Sequence, residues 1–173
     1  MPRHKNYLPQ GVIPAALLPF NEDFSIDEAS YRSHLRDIAA VEGISAITIN
    51  AHASEVASCS FDEQVRVLEI TQDEIGARLP IVNGIYSEGP FEAARLAKMA
   101  HAGGASALLV FPTGVYTFGQ RPEMAVDYFK RIADASDLPL ILFQYPLAGG
   151  QGGGDFPAGC NVEWICREDH GLR

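Results

Sequence analysis

Cysteine and cationic residues are both scarce in this chain of 173 residues, and each scarcity excludes a class of protein. Three cysteines in a chain of this length do not form the disulfide framework of a small secreted domain. The 13 Lys and Arg residues are outnumbered by 22 Asp and Glu, which leaves a net charge of −9. Nucleic acids and anionic membranes both reward clustered Lys and Arg, so we expect neither as a partner.

Long apolar runs are also absent. No run approaches the roughly 20 residues that a membrane-spanning helix needs. The basic start at residues 1–7 is not followed by an apolar stretch long enough for a signal peptide. Apolar residues still make up 47% of the chain, which is typical of a globular domain with a substantial core. We therefore expect a cytoplasmic protein.

Five short segments are predicted to be buried β-strands. Each is apolar along most of its length instead of alternating, a pattern typical of strands that are covered on both faces in a parallel sheet. Glycine, proline and polar residues bound the segments. The predicted strands cover residues 11–18, 44–50, 80–86, 105–111 and 138–145.

Four helices are predicted between these strands. In the first, Tyr31, Leu35 and Ile38 form one apolar stripe. In the second, Ser60 and Glu63 have the spacing of a capping box. The predicted helices cover residues 27–40, 60–75, 90–102 and 121–135.

Strands and helices thus alternate, with one βα unit about every 30 residues, which predicts a parallel sheet with right-handed crossovers. An open doubly wound sheet and part of a (β/α)₈ barrel are the two candidate architectures. An open sheet often has a glycine-rich phosphate loop after its first strand, whereas this strand runs into Pro19 and Phe20. We predict an incomplete (β/α)₈ TIM barrel with about five parallel strands and four helices.

The C-terminal part of the chain has a different character. Residues 147–173 hold seven of the sixteen glycines and show neither a helical nor a strand period. We therefore predict a partial barrel over residues 8–148 and an irregular glycine-rich tail over residues 149–173, either disordered or translated out of frame.

The predicted strands and the turns beside them carry motifs that resemble one known family. Residues 11–20 are similar to its G-x-x-x-A-x-x-T-P-F strand, and residues 51–55 (AHASE) occupy the place of its G-T-T-G-E loop. Residues 80–84, 104–112 and 138–146 are similar to P-V-I-A-G, G-A-D-A-x-L-V-x-P and L-P-x-I-x-Y-N-x-P. In order and at these separations, the motifs resemble the first five of eight βα units in the dihydrodipicolinate synthase / N-acetylneuraminate lyase family.

The resemblance implies a Schiff-base lyase or aldolase that acts on pyruvate or another small 2-oxo acid. In the family, a lysine at the end of the sixth strand attacks the ketone, and the iminium that forms acts as an electron sink. A tyrosine at the end of the fifth strand relays protons, and the G-T-T-G-E loop binds the carboxylate. We expect no cofactor and no metal, and the resemblance implies that intact relatives are homo-oligomers.

The candidate catalytic residues depart from the family pattern. Phe143 occupies the position of the family tyrosine, and Tyr145 lies two residues further along the same strand face. His52 replaces a threonine of the loop, either as an acid/base or carboxylate-binding group or as a structural cap of the loop. The resemblance assigns substrate binding to the rest of the loop, which here consists of Ala53, Ser54 and Glu55.

The reactive lysine is the largest departure. The chain has three lysines: Lys5 in the N-terminal tail, and Lys98 and Lys130 inside predicted helices. None ends a predicted strand, so whether this chain is itself an enzyme stays open. We predict a truncated and inactive member of the family. The alternatives are a non-catalytic half-barrel that oligomerises through its open edges and a small-anion-binding α/β module.

Overall fold

The computed structural model describes residues 4, 6–114 and 122–143. Within these residues, strands and helices alternate as the sequence predicts. Two short 3₁₀ turns, His52–Ser54 and Val56–Ser58, follow the first strand. The regular elements, in chain order, are α1 (Glu28–Ala39), β1 (Ile47–Ile49), α2 (Phe61–Glu74), β2 (Ile81–Ile85), α3 (Pro90–Ala102), β3 (Ala107–Val110), α4 (Pro122–Ala135) and β4 (Leu140–Leu142).

The four strands form one parallel sheet in the order β1-β2-β3-β4. Ile47 pairs with Ile81, Ile85 pairs with Val110, and Val110 pairs with Leu142. Each strand is therefore hydrogen-bonded to the strand that follows it in the chain, across an intervening helix. This sequential parallel order is the order of neighbouring strands in a (β/α)₈ barrel.

The predicted first strand, residues 11–18, is not a regular strand. It lies beside β1 but makes only two isolated parallel bridges, Val12 with Ile44 and Ala15 with Thr48. Pro14 has no N–H to donate, although its carbonyl oxygen accepts a hydrogen bond of 2.8 Å from the Thr48 amide. The described sheet therefore has four strands where the sequence predicted about five.

The helices begin where the sequence predicts. Ser60 and Glu63 form the expected capping box at the start of α2. Tyr31 and Leu35 of the predicted stripe on α1 are fully buried, and Ile38 packs beside them. The Tyr31 hydroxyl lies 2.9 Å from the Thr71 hydroxyl of α2, so the two helices share a buried polar contact in addition to their apolar packing.

Side chains on the two faces of the sheet pack in different environments. One face packs against the helices, with Ile47 and Ile49 under α1 and α2 and with Leu108 and Leu140 under α3 and α4. The opposite, inner face is a smaller cluster. Its buried members are Ala46, Val82 and Ala107, against which Tyr7, Ile13, Leu109 and Ile141 pack.

Among the described residues, no helix combines the length and the apolar composition that crossing a bilayer would require.

Candidate functional site at the carboxyl ends of the strands

The turn after β1 is held by a buried network of amide side chains. Asn50 adopts a left-handed backbone conformation with φ of 49°. Its side-chain N–H₂ group donates to the Gln64 carbonyl oxygen at 3.0 Å and to Asn83 Oδ1 at 2.9 Å. Because Asn50 and Asn83 are almost completely buried and hydrogen-bonded, the point at which the chain leaves β1 is fixed relative to β2.

Residues 52–55, for which the sequence predicts a role in the site, follow directly. The Ser54 hydroxyl is buried and donates to the Ala16 carbonyl oxygen at 2.8 Å, which ties this turn to the segment at residues 11–18. Glu55 is exposed and has a left-handed backbone with φ of 53°. Ala53, which precedes Ser54, is half-buried. The substrate-binding roles of these three residues stay predictions.

Four ring side chains meet at the carboxyl ends of the strands, and we call them the aromatic cluster: His52, Tyr86, Phe111 and Phe143. Phe111 is 2% exposed and lies at the centre. The His52 ring stacks on it, with ring centroids 4.2 Å apart and planes inclined by 25°. The Phe111 centroid lies 4.8 Å from that of Phe143 and 6.3 Å from that of Tyr86. Each ring follows a different strand.

Two members of this cluster, Tyr86 and Phe111, were missed by the sequence analysis, although a signal for them exists. Alternate residues of a strand point to the same face, so Phe111 continues the inward series from Ala107. By the same count, Tyr86 continues the series from Val82. Following this alternation to the last residue of each predicted strand would have predicted both rings at the site.

The two predicted proton-transfer positions differ in what the structure shows. Phe143 belongs to the aromatic cluster, and its centroid lies 6.1 Å from that of His52. Tyr145, predicted as its partial substitute, lies outside the described residues. Thr113 lies two residues after Phe111 in the sequence. Its buried Oγ1 has no hydrogen-bond partner in the described part of the structure.

The structure also describes lysine and cysteine side chains outside the predicted site. The described lysines, Lys98 and Lys130, are exposed on α3 and α4. Burial raises the pKa of the Cys59 thiol, and the nearby carboxylates of Glu63 and Glu55 raise it further, so this thiol stays protonated at neutral pH. In the described ranges, no three His, Cys, Asp or Glu side chains come together as a metal site requires.

Comparison with known proteins places the chain in a family. A sequence profile of the Dihydrodipicolinate synthetase family matches residues 8–152. The chain belongs to the dihydrodipicolinate synthetase family. A curated member, the 4-hydroxy-tetrahydrodipicolinate synthase of Methanothermobacter thermautotrophicus, is 30% identical over 141 residues, which cover 82% of this chain and 49% of the relative. The chain thus spans about half the length of the family members it matches.

Solved structures of the family share the fold. The dihydrodipicolinate synthase of Acinetobacter baumannii, a chloride-inhibited enzyme solved with pyruvate, is 29% identical with a TM-score of 0.72. The match covers 79% of this chain and 46% of that one. N-acetylneuraminate lyase from Mycoplasma synoviae is similar in fold alone, at 21% identity and a TM-score of 0.70 over 79% of this chain and 46% of that lyase. The described βα units thus correspond to about half of such a barrel. The predicted tail at residues 149–173 lies outside the described residues, and the boundary at residue 148 stays a prediction.

Proposed function

We propose that this chain supplies the first half of a barrel that binds pyruvate or another small 2-oxo acid, and that its 173 residues by themselves have no Schiff-base activity. The observation that carries the proposal is the position of residues 52–55. They lie at the carboxyl ends of parallel strands, where (β/α)₈ barrels place their active sites. A family member solved with pyruvate supports the choice of ligand class.

The positions of the two described lysines are the reason for expecting no Schiff-base chemistry. A lysine attacks a ketone only through its uncharged amine, which enzymes obtain by desolvating the lysine or by placing another cation beside it. Lys98 and Lys130 are instead exposed to water on helices that pack against the outer face of the sheet. In the family that the sequence resembles, the reactive lysine follows the sixth strand, beyond the five predicted here.

Borohydride trapping tests the proposal directly. The chain is incubated with pyruvate and sodium borohydride, and its intact mass is measured. We expect no mass increase, whereas the M. thermautotrophicus synthase, treated identically as the reference, is expected to gain one reduced pyruvate. A stable pyruvate adduct on this chain would show that one of its own lysines is reactive, and the absence of Schiff-base activity would then be wrong.

Pyruvate binding is tested separately from the chemistry. The imidazole of His52 and the backbone amides of Ser54 and Glu55 are observed by NMR while pyruvate is added. We expect saturable shifts at these residues and none at His101, which lies at the last turn of α3. If none of these signals shifted on addition of pyruvate, the proposed 2-oxo-acid site would be wrong, whatever the trapping result.

A non-catalytic half-barrel that oligomerises is the second candidate. It is favoured by exposed apolar side chains on residues 11–18, where Val12 is 64% and Leu17 is 59% exposed. Edge segments with exposed apolar residues tend to pair with other chains. The two candidates are compatible, because self-association and ligand binding involve different residues.

A further inference from the structure

The parallel ladder between residues 11–18 and β1 stops just before the candidate site. The Thr48 amide donates to the Pro14 carbonyl oxygen at 2.8 Å, and the Ala16 amide donates to the Thr48 carbonyl oxygen at 2.9 Å. In a regular parallel pair, the next hydrogen bond would run from the Asn50 amide to the Ala16 carbonyl oxygen. Among the described residues, no backbone hydrogen bond joins these two groups. The ladder therefore ends where Asn50 adopts its left-handed conformation, with φ of 49°.

A side-chain hydroxyl takes the place of that backbone bond. Ala16 is fully buried, and a buried carbonyl oxygen without a partner is unfavourable. The Ser54 hydroxyl, on a residue that is 1% exposed, donates to this oxygen at 2.8 Å. The corresponding position of the G-T-T-G-E motif is a glycine, which has no hydroxyl to donate. The bond is therefore a feature of this chain's own sequence, and it ties the loop after β1 to residues 11–18.

The same bond excludes the Ser54 hydroxyl as a donor to a ligand. A serine hydroxyl has one hydrogen, and Ser54 donates it to Ala16. A carboxylate accepts hydrogen bonds and donates none, so the carboxylate of a 2-oxo acid needs a donor other than this hydroxyl. Redirecting the hydrogen to a ligand would leave the buried Ala16 carbonyl oxygen without a partner. Ser54 thus differs from a hydroxyl that binds a substrate carboxylate directly.

We propose that Ser54 is a positioning residue, whose hydroxyl fixes the loop at residues 51–55 for 2-oxo-acid binding without contacting the ligand. This inference rests on the proposed 2-oxo-acid function. Ala53 and Glu55 flank Ser54, so a displacement of Ser54 moves both of the other loop residues to which the sequence assigns substrate binding. A binding site keeps its geometry only when buried hydrogen bonds hold the groups around it, and a loosened site binds its ligand more weakly.

Removal of the hydroxyl tests the positioning role on the full 173-residue chain. The dissociation constants of pyruvate with the parent and with Ser54→Ala are measured by isothermal titration calorimetry. We expect Ser54→Ala to bind pyruvate about tenfold more weakly. Equal binding by the parent and by Ser54→Ala would overturn the positioning role and leave the 2-oxo-acid function standing. If the parent itself did not bind pyruvate, the proposed function and this inference would both be wrong.

Ser45→Ala is the matched control, because the Ser45 hydroxyl also holds the backbone of the segment that precedes β1. It hydrogen-bonds to the carbonyl oxygens of Gln10 and Val12, at the end of the segment away from Ser54. At a temperature where circular dichroism shows both variants folded, we expect Ser45→Ala to bind pyruvate within about twofold of the parent. Equal weakening in the two variants would show that Ser54 contributes only to stability, and the inference would be wrong.

The Ala16 carbonyl carbon distinguishes positioning from direct contact with the ligand. Its NMR chemical shift reports hydrogen bonding at the carbonyl oxygen, and an HNCO spectrum records it through the Leu17 amide. We expect Ser54→Ala to move this signal, and we expect saturating pyruvate to leave it in place in the parent. A move toward the Ser54→Ala value when pyruvate is added to the parent would show that the hydroxyl turns to the ligand, and the positioning role would be overturned.

Discussion

At the scale of single residues, Gly84 shows how closely β2 approaches the turn that follows β1. A Cβ atom at this position would overlap the carbonyl oxygen and carbon of Asn50. Those neighbours are backbone atoms, which the network of Asn50, Gln64 and Asn83 holds in place. The site loop begins one residue after Asn50, so the absence of a side chain at Gly84 helps to set where His52 lies.

Replacement of Gly84 tests this close approach. We expect Gly84→Ala to lower the free energy of unfolding by about 3 kcal/mol or more, because the added methyl group cannot be accommodated without a backbone shift. Urea denaturation followed by circular dichroism measures the change. The control is Gly89→Ala, where a Cβ atom has no neighbour within 4 Å. If both variants unfolded at the same urea concentration, the proposed backbone clash would be wrong.

Individual site residues were predictable to different degrees. His52 and Phe143 were identified because they align with positions of a recognisable motif. The sequence analysis assigned no role to Tyr86 and Phe111, and their place in the aromatic cluster emerged only from the ring distances. A motif comparison reports which residues replace known ones, whereas contacts between strand ends depend on how the strands pair.

At the scale of elements, ion pairs join α1 to α2. Arg36 lies 2.8 Å and Arg32 lies 3.1 Å from the Glu74 carboxylate, and Arg32 also pairs with Asp73 at 2.7 Å. The hydrogen bond from Arg36, followed by that from Arg32, holds the pKa of Glu74 below its usual value of 4.5. The folded state therefore favours the charged form of this carboxyl more than the unfolded chain does.

This pKa shift predicts a loss of stability in acid. The contribution of Glu74 is fully present above about pH 4.5 and is lost as the pH falls through its lower folded-state pKa. We expect Glu74→Gln to be less stable than the parent at pH 7 by less than about 1 kcal/mol, and to lose less stability on acidification. Thermal unfolding at pH 7 and at pH 3.5 measures both effects.

Glu42→Gln is the matched control for this prediction, since Glu42 is exposed and its carboxylate makes no ion pair within the described residues. We expect it to follow the parent at both pH values. An identical acid response in Glu74→Gln and in the parent would contradict the contribution of the ion pairs.

The accuracy of the predicted elements depended on how local their signals are. The bounds of α2 and α3 agree with the predictions to within one residue, because Ser60 and Pro90 mark helix starts within a single turn. The predicted strand at 44–50 is shortened to Ile47–Ile49. Strand ends are set by pairing with the neighbouring strand, and the glycine, proline and polar residues that bound the predicted segments mark these ends only loosely.

At the scale of the whole molecule, apolar side chains remain exposed along the segment at residues 11–18 and just before it. Leu8 is 59%, Val12 is 64% and Leu17 is 59% exposed. This segment pairs with β1 along one edge, and exposed edges with apolar residues favour association between chains. A closed barrel has no such edge, because its first and last strands pair.

We therefore expect the chain to self-associate. Size-exclusion chromatography should show elution earlier than a monomer, with increasing association at higher concentration. Val12→Lys combined with Leu17→Lys should shift the chain toward the monomer, because buried charge opposes association. Val126→Lys on α4, where the residue is 62% exposed, should behave like the parent. Elution of the parent as a monomer at every concentration would contradict association through this segment.

The sequence by itself determined the alternation of strands and helices, the helix starts and the family. Each of these depends on residues close together in the chain: caps, apolar runs, and motifs such as residues 51–55. Only the tertiary structure decided that residues 11–18 make isolated bridges and that four rings meet at one edge of the sheet. Those outcomes depend on pairing between segments far apart in the chain, which no local pattern specifies.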